Sequence, residues 1–218
     1  MVLPESRAKT QYNHATVAFK VLEDISNYEL GGNSKAKQNK TSLTMVLQAI
    51  KYKRGELQIL DQLRLPHAEV YDDIRTSTDA WHAIQEMRTR GAPAIAIVAA
   101  LALGVEIETI ASKKELSTVA EEVEVFIEEK LNYLVTSRPT AVNLADAARK
   151  LQKVVQSASA AKEASGTSVK DAYLKAAEQM LIDDVSDNEA IGHHGAEWIL
   201  KHASRSGQVS IVTHCNTG

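Results

Sequence analysis

The fold of this chain is decided by the stretch RGAPAIAIVAALALGVEIETI, residues 90–110. Gly91 breaks the helix that precedes it, and Pro93 suits the first turn of a new helix, where its missing N–H is not needed. The new helix, expected from Pro93 to about Ile110, is apolar nearly all round at its start, so it should lie at the centre of the core. Its longest apolar run, 92–105, is shorter than the roughly 18 residues typical of a membrane span, which favours a buried helix.

Two short β-like runs and one helix precede this central stretch. Residues 47–52 and 57–60 are separated by Lys53-Arg54-Gly55-Glu56, a hairpin signal that contains glycine. Thr76, with Asp79 three residues later, has the spacing of a capping box and predicts a helix start.

Apolar spacing predicts four more helices after the central one. They are expected over about 115–135, over about 141–160, from a cap at Ser168 to about Val185, and from Asp187 to near Ser204. Trp81 and Trp198 fit apolar helix faces and are predicted to be core residues.

The only cysteine follows a β-like run at 208–213. Because α/β folds place chemistry at the C-terminal ends of strands, Cys215 is a candidate reactive side chain. The fold class is therefore α/β overall, with an N-terminal β-hairpin and a mainly helical domain followed by the first strand of an α/β domain. The expected divisions are an extension at 1–44 (disordered or a gene-model artefact), a mainly helical domain at 45–206, and the start of the α/β domain at 207–218.

Composition limits the possible partners and compartments. A formal net charge of -3 gives no electrostatic case for nucleic acid or an anionic membrane as the main partner. One cysteine cannot form an internal disulfide, which suits a reducing compartment. The N-terminus lacks a signal-sequence pattern, so the cytosol is the expected location.

Two helix starts carry the pattern of an anion site. Arg90, Gly91 and Ala92 combine a cation with small residues at a helix N-terminus, where free N–H groups favour phosphate or carboxylate. Arg138, in Ser137-Arg138-Pro139-Thr140, could add a second cation to the same anion. The alternative at both positions is a plain turn between helices with an exposed arginine.

Cysteine and histidine give weaker signals. Cys215 would be reactive only with a helix N-terminus or a cation beside it, and the alternative is an inert buried thiol. His214 points to the opposite strand face and is a poor candidate for its base. Because His193 and His194 are adjacent and diverge on a helix, they do not form a metal pair, and no metal site is expected. No glycine-rich nucleotide loop is present in the sequence, and no cofactor is expected.

Three motifs in order resemble a known family. They are Arg90-Gly91-Ala92-Pro93-Ala94-Ile95-Ala96-Ile97-Val98, then Ser137-Arg138-Pro139-Thr140-Ala141-Val142-Asn143, then Thr213-His214-Cys215-Asn216-Thr217-Gly218. Together with Leu57-Gln58-Ile59-Leu60-Asp61-Gln62-Leu63, they are similar to the methylthioribose-1-phosphate isomerases of methionine salvage. The resemblance covers residues 45–218 and leaves 1–44 outside it.

The resemblance implies an aldose–ketose isomerase that converts 5-methylthioribose 1-phosphate to 5-methylthioribulose 1-phosphate. It implies Cys215 as one member of an acid–base pair, with Arg90, Gly91, Ala92 and Arg138 holding the phosphate. The other member of the pair, an aspartate, belongs to the family's Rossmann-like second domain, of which this chain has only the first strand. The 218-residue chain is therefore expected to be inactive alone.

The resemblance further implies a small-molecule sugar phosphate as the partner, a homodimer when full length, and a cytoplasmic or also nuclear location. Two alternatives stay open. One is a non-catalytic assembly module like the regulatory alpha, beta and delta subunits of initiation factor 2B, which has no need of Cys215. The other is a ribose-1,5-bisphosphate isomerase, which differs at the 5-position of the sugar.

Overall fold

A computed structural model describes residues 47–202. Within that range the chain forms a small antiparallel sheet and a set of helices, so it is mostly helical, as expected. The strands are β1 (Ile50–Lys53), β2 (Glu56–Leu60) and β3 (Tyr71–Asp73). The helices are α1 (Ser77–Gln85), α2 (Ala92–Ser112), α3 (Ala120–Val135), α4 (Val142–Ser159) and α5 (Gly166–His202). The predicted domain boundaries at 44 and 206, with the strand at 208–213, lie outside the described residues.

The sheet has the order β1-β2-β3, with both neighbouring pairs antiparallel. The predicted hairpin is confirmed, since Lys53 pairs with Glu56 and Gly55 takes a positive φ of 84° in the turn between them. Strand β3 has no strand pattern in the sequence, because it is three residues long and carries two aspartates, a residue type disfavoured in strands.

Helix α2 is the centre of the core of residues 49–183, which form one compact unit. Its residues from Ile95 to Val105 are all buried, and it packs against α1, α3, α4 and the sheet. By length and composition α2 could cross a membrane, but 67% of its apolar window is buried inside the protein. The expected core helix is confirmed, with bounds two residues beyond the predicted end.

Helix α1 starts as the sequence indicates. Thr76 is its N-cap and accepts a hydrogen bond from the Asp79 N–H at 3.1 Å, while the Asp79 carboxylate accepts one from the Thr76 N–H at 2.9 Å. This reciprocal pair is the predicted capping box. The helix ends at Gln85, earlier than the break expected at Gly91, because Met87 takes a positive φ of 62°.

Helix α5 corrects the prediction of two separate helices at 168–185 and 187–204. It runs without a break from Gly166 through Asp187, because no proline interrupts it and polar residues there are tolerated on an exposed helix face. Its cap is one turn earlier than expected: the Ser165 N–H donates to Ser168 Oγ, and the Ser168 N–H donates to Ser165 Oγ.

Residues 184–202 of α5 belong to a second compact unit and are described by themselves. Trp198 was predicted to be a core residue, but it is 64% exposed and stacks on His202 with ring centroids 4.4 Å apart. Trp81 is partly buried against the core and stacks on Tyr133.

Candidate functional site

The first predicted anion site lies at the start of α2, where Gly91 is the N-cap. Gly91 has φ 93° and ψ 130°, a backbone conformation that residues other than glycine rarely adopt. No side chain within residues 47–202 caps the helix, and its first hydrogen bond runs from the Ile95 N–H to the Gly91 carbonyl at 2.9 Å. Pro93 has no N–H, so the donors without helical partners in the first turn are those of Ala92 and Ala94.

The second predicted site lies at the start of α4. The Ala141 N–H donates to the Arg138 carbonyl at 2.9 Å, which closes a four-residue turn with Pro139 at its second position. Ala141 is the N-cap of α4 and has no side chain that could cap it. The first helical bond of α4 runs from the Ala145 N–H to the Ala141 carbonyl, so the N–H groups before Ala145 have no helical partners.

These two helix starts keep the positive end of the helix dipole uncompensated. Neither α2 nor α4 has an acidic residue in its first turn. By contrast, the first turn of α1 holds Asp79 in its capping box, and the first turn of α3 holds Glu121 and Glu122. A carboxylate in the first turn stabilises the dipole internally. Helix α5 also lacks an acidic residue there, but Ser165 and Ser168 cap its start. The starts of α2 and α4 have neither a carboxylate nor a side-chain cap among the described residues, which favours an external anion.

Helix α5 fixes the direction of α2 and α3. Lys170 pairs with Glu108 at 3.0 Å and the Tyr173 hydroxyl donates to the Ala100 carbonyl at 2.9 Å, so α5 runs antiparallel to α2. The Gly166 N–H donates to the Thr118 carbonyl at 2.8 Å. The starts of α5 and α3 therefore lie at the C-terminal end of α2, and α3 runs back toward the start of α2.

The start of α4 lies at the same end as the start of α2. Gln152 of α4 donates to Asn132 of α3 at 2.9 Å and Gln156 donates to Glu128 at 2.6 Å, a register that makes α3 and α4 antiparallel. The Trp81 indole N–H donates to Thr136 Oγ1 at 2.9 Å, which ties α1 to the α3–α4 connection. The fold thus places the two predicted anion sites at one end of the helices.

The arginines show which cations are available at that end. Seven arginines lie within residues 47–202, and five of them pair with carboxylates: Arg54, Arg64, Arg75, Arg88 and Arg149. Arg90 and Arg138 have no carboxylate partner among the described residues. The two arginines singled out from the sequence are therefore the two whose charge the described part of the fold does not neutralise.

Arg90 and its neighbour Arg88 have different environments. Burial lowers the pKa of Arg88, but hydrogen bonds to Asp72 and Glu86 raise it further than burial lowers it, so Arg88 stays charged within a structural ion pair. Arg90 is half-buried, and its Nε donates to the Met87 carbonyl at 3.1 Å. That single bond orients the side chain and leaves its terminal nitrogens free for a forked contact with an oxyanion.

Gln62 belongs to the stretch 57–63 of the family resemblance, but the sequence assigns it no role; it is a buried polar residue whose backbone contacts the segment before the first site. Its N–H donates to the Arg88 carbonyl at 2.9 Å, so Gln62 lies along the segment that leads into Arg90. It is 7% exposed, and its side-chain oxygen has no hydrogen-bond partner among the described residues. The signal that could have found it is a polar pair, Asp61-Gln62, directly after the apolar strand β2.

A groove along the described residues lies elsewhere. It has a volume of about 620 Å³ and is lined by hairpin residues such as Lys51 and Gln58, together with Arg75, Val105 and Thr109. None of the predicted site residues lines this groove.

One group of described residues could hold a metal ion, although none was expected from the sequence. The ligand atoms of His193, His194 and Glu197 all lie within 4.8 Å of one another, since Glu197 contacts both histidines. All three side chains are exposed, on the part of α5 described by itself. Cys215, the predicted catalytic residue, lies outside the described residues, and its role stays a prediction.

Comparisons with known proteins agree with the motifs. A curated methylthioribose-1-phosphate isomerase from Pyrenophora tritici-repentis is 70% identical over 176 residues, and one from Aspergillus terreus is 57% identical over 175 residues. Each alignment covers 80% of this chain, but only 44% and 46% of the respective relatives. The chain therefore spans less than half the length of these curated relatives.

Solved structures show the same fold. The crystal structure of 5-methylthioribose 1-phosphate isomerase from Pyrococcus horikoshii matches with a TM-score of 0.60 and 28% identity, over 71% of this chain and 41% of that chain. Subunit delta of translation initiation factor eIF-2B from A. fulgidus matches with a TM-score of 0.50 and 27% identity, over 62% of this chain and 36% of that chain. The model of the initiation factor 2 subunit family matches residues 88–218, which is more than half of the chain. The chain therefore belongs to the initiation factor 2 subunit family.

Proposed function

We propose that this chain supplies the phosphate-binding part of a methylthioribose-1-phosphate isomerase. The observation that carries the proposal is that Arg90 and Arg138 alone among the described arginines have no carboxylate partner. Both precede uncapped helix starts at one end of the fold. The curated relatives are methylthioribose-1-phosphate isomerases, which supports the choice of substrate, and their 70% and 57% identities support carrying the activity to the protein that contains this chain.

In the proposed site the substrate phosphate lies between the starts of α2 and α4. Arg90 and Arg138 contribute charge, and the N–H groups of Ala92 and its neighbours contribute directional donors. Gly91 allows the phosphate to approach the backbone, because it has no side chain in the way. Binding the phosphate in this way places the attached sugar for chemistry and lowers the entropic cost of reaching the transition state.

The proposed reaction is an aldose–ketose isomerisation. The substrate is a glycosyl phosphate without a free aldehyde, so its ring must open first, with an acid at the ring oxygen. Hydrogen then passes from C2 to C1, by a proton relay or a hydride shift. A proton relay needs a positioned acid–base pair, and Cys215 is proposed as one member of it.

The test joins this chain to the portion of the Pyrenophora tritici-repentis relative that it does not cover. We expect this chimaera to convert 5-methylthioribose 1-phosphate, and we expect Cys215→Ser to reduce kcat strongly with little change in KM. Lys150→Ala serves as a control, because Lys150 pairs with Asp146 on the exposed face of α4. An inactive chimaera that folds and binds no sugar phosphate would contradict the proposal, and a Cys215→Ser variant with near-normal turnover would contradict the role of Cys215.

A second candidate function is a non-catalytic subunit in an assembly, which the structural match to eIF-2B subunit delta favours. The same chimaera separates the two candidates, because an assembly module needs neither turnover nor Cys215. Competition between the two substrates distinguishes a ribose-1,5-bisphosphate isomerase from a methylthioribose-1-phosphate isomerase. The former would bind the sugar with a second phosphate at the 5-position more tightly than the sugar with a methylthio group there.

A further inference from the structure

Gln62 is the only glutamine within residues 47–202 that is buried, and its side-chain oxygen has no hydrogen-bond partner there. It is 7% exposed, and Oε1 accepts no hydrogen bond from any described residue. The glutamines at 58, 152, 156 and 179 are less buried, and each donates to a side-chain oxygen. Burying an amide oxygen without a hydrogen bond is unfavourable, so this oxygen does not stabilise the ligand-free protein.

The backbone around Gln62 is held on both sides. The Asp61 N–H donates to the Val70 carbonyl at 2.8 Å, and the Gln62 N–H donates to the Arg88 carbonyl at 2.9 Å. The Asp61 carboxylate is already engaged, because it accepts from the Leu63 N–H at 3.0 Å and pairs with Arg64 at 3.4 Å. The backbone of Gln62 is therefore fixed beside the segment that leads into Arg90, Gly91 and Ala92, and its buried amide extends from that backbone.

The hydrogen-bonding capacity of the amide indicates what could satisfy it. A carboxamide offers one acceptor oxygen and two N–H donors. A phosphate dianion only accepts hydrogen bonds, so it cannot satisfy Oε1. A hydroxyl group can donate to Oε1 and can also accept from Nε2, and the pairing holds for either orientation of the amide.

We propose that Gln62 binds a hydroxyl group of the sugar whose phosphate occupies the helix starts of α2 and α4. The inference rests on the proposed function, because it takes a sugar phosphate as the ligand. It deepens that function by adding a residue from the β2–β3 connection to a site otherwise built from helix termini. The hydroxyl group of the ligand then donates the hydrogen bond that the buried Oε1 otherwise lacks, and Gln62 distinguishes a sugar phosphate from free phosphate.

The test compares two probes, 5-methylthioribose 1-phosphate and inorganic phosphate, on the chimaera and on the 218-residue chain. Gln62→Met removes the amide and keeps the length of the side chain. We expect it to weaken the sugar phosphate about tenfold and to leave inorganic phosphate within about twofold of the unmodified protein. Because the substitution removes an unsatisfied buried group, Tm should stay equal or rise. Gln58→Met, the same change at an exposed position of β2, should alter neither affinity.

Other outcomes would overturn either the inference on Gln62 or the proposed function. Equal loss of affinity for both probes, no loss for either, or a fall in Tm of several degrees would show a structural role for Gln62 and would overturn the inference. If Gln62→Met does not fold, Gln62→Leu replaces it, and failure of both would show that the free fold needs the amide. If the unmodified protein binds inorganic phosphate but not the sugar phosphate, the isomerase proposal itself fails.

Discussion

Replacing Gly91 with alanine tests whether the backbone at the start of α2 is part of the anion site. The φ of 93° and ψ of 130° at Gly91 lie where an L-residue is strained, at a cost of about 1–3 kcal/mol. The added Cβ itself meets no obstacle, since its nearest neighbour, Ala94 Cβ, is 3.9 Å away. The whole cost is therefore conformational, and it corresponds to a fall in Tm of roughly 3–9 °C for a domain of this size.

Gly55→Ala is the matched control for this prediction. Gly55 has a φ of 84° and open space around its Cβ position, so its replacement carries a similar backbone cost in the hairpin turn. We expect both variants to lose comparable stability in thermal unfolding, but only Gly91→Ala to lose phosphate affinity, by roughly three- to tenfold, because the helix start must shift to relieve the strain. Equal phosphate affinity in the two variants would refute the assignment of this backbone to the site.

Three further predictions concern the second arginine, a helix contact and the pH dependence of stability. Arg138→Ala should raise KM of the chimaera about tenfold with a smaller effect on kcat, since it removes a phosphate ligand, and an unchanged KM would count against that role. Gly166→Ala should lower the free energy of unfolding by about 2–3 kcal/mol in a denaturant titration, because its Cβ would collide with the Ser117 carbonyl; a change below about 0.5 kcal/mol would contradict the packing. Burial raises the pKa of Glu106, but Lys130 and the Ser77 N–H lower it further, so the net pKa lies below the ordinary 4.5. The stability contributed by this carboxylate is present above that ordinary value and is lost as pH falls through the lower folded pKa, so Glu106→Gln should flatten the acid limb of a stability–pH curve.

The central helix and its boundaries could be predicted from the sequence because local signals decide them. Gly91 and Pro93 mark the start of α2, and apolar residues on every face predict its burial. The capping box of Thr76 and the hairpin at Gly55 are also local, and both are confirmed. In each case the residues that determine the structure are within a few positions of the element they determine.

The structure differs from the sequence-based predictions where tertiary contacts or weak local signals decide it. Polar residues around Asp187 resemble a helix start, but without a proline or an interrupting turn α5 continues through them. Trp198 was assigned to the core from helical periodicity alone, although its face of α5 is exposed. β3 is too short to show an alternating pattern, and its pairing with β2 depends on a connection of ten residues.

The candidate site was only partly accessible from the sequence. Arg90 and Arg138 carry recognisable motifs, but the lack of a carboxylate partner depends on which acidic residues the fold brings near each arginine. Gln62 lies in the stretch 57–63 that resembles the family, but that stretch gives it no role. Its interest comes from burial and from the hydrogen bond to Arg88, neither of which could be read before the strand and the helix were placed.

The most direct test of the central claim is a double-mutant cycle on phosphate binding. The claim is that Arg90 and Arg138 hold one phosphate at the shared end of α2 and α4. The affinity of 5-methylthioribose 1-phosphate would be measured by calorimetry for the chimaera, for Arg90→Ala, for Arg138→Ala and for the double variant. The account predicts one ligand per chain, a loss of about tenfold in each single variant, and a double variant whose loss departs from the product of the two. Single variants that bind the ligand as tightly as the unmodified protein would contradict the account.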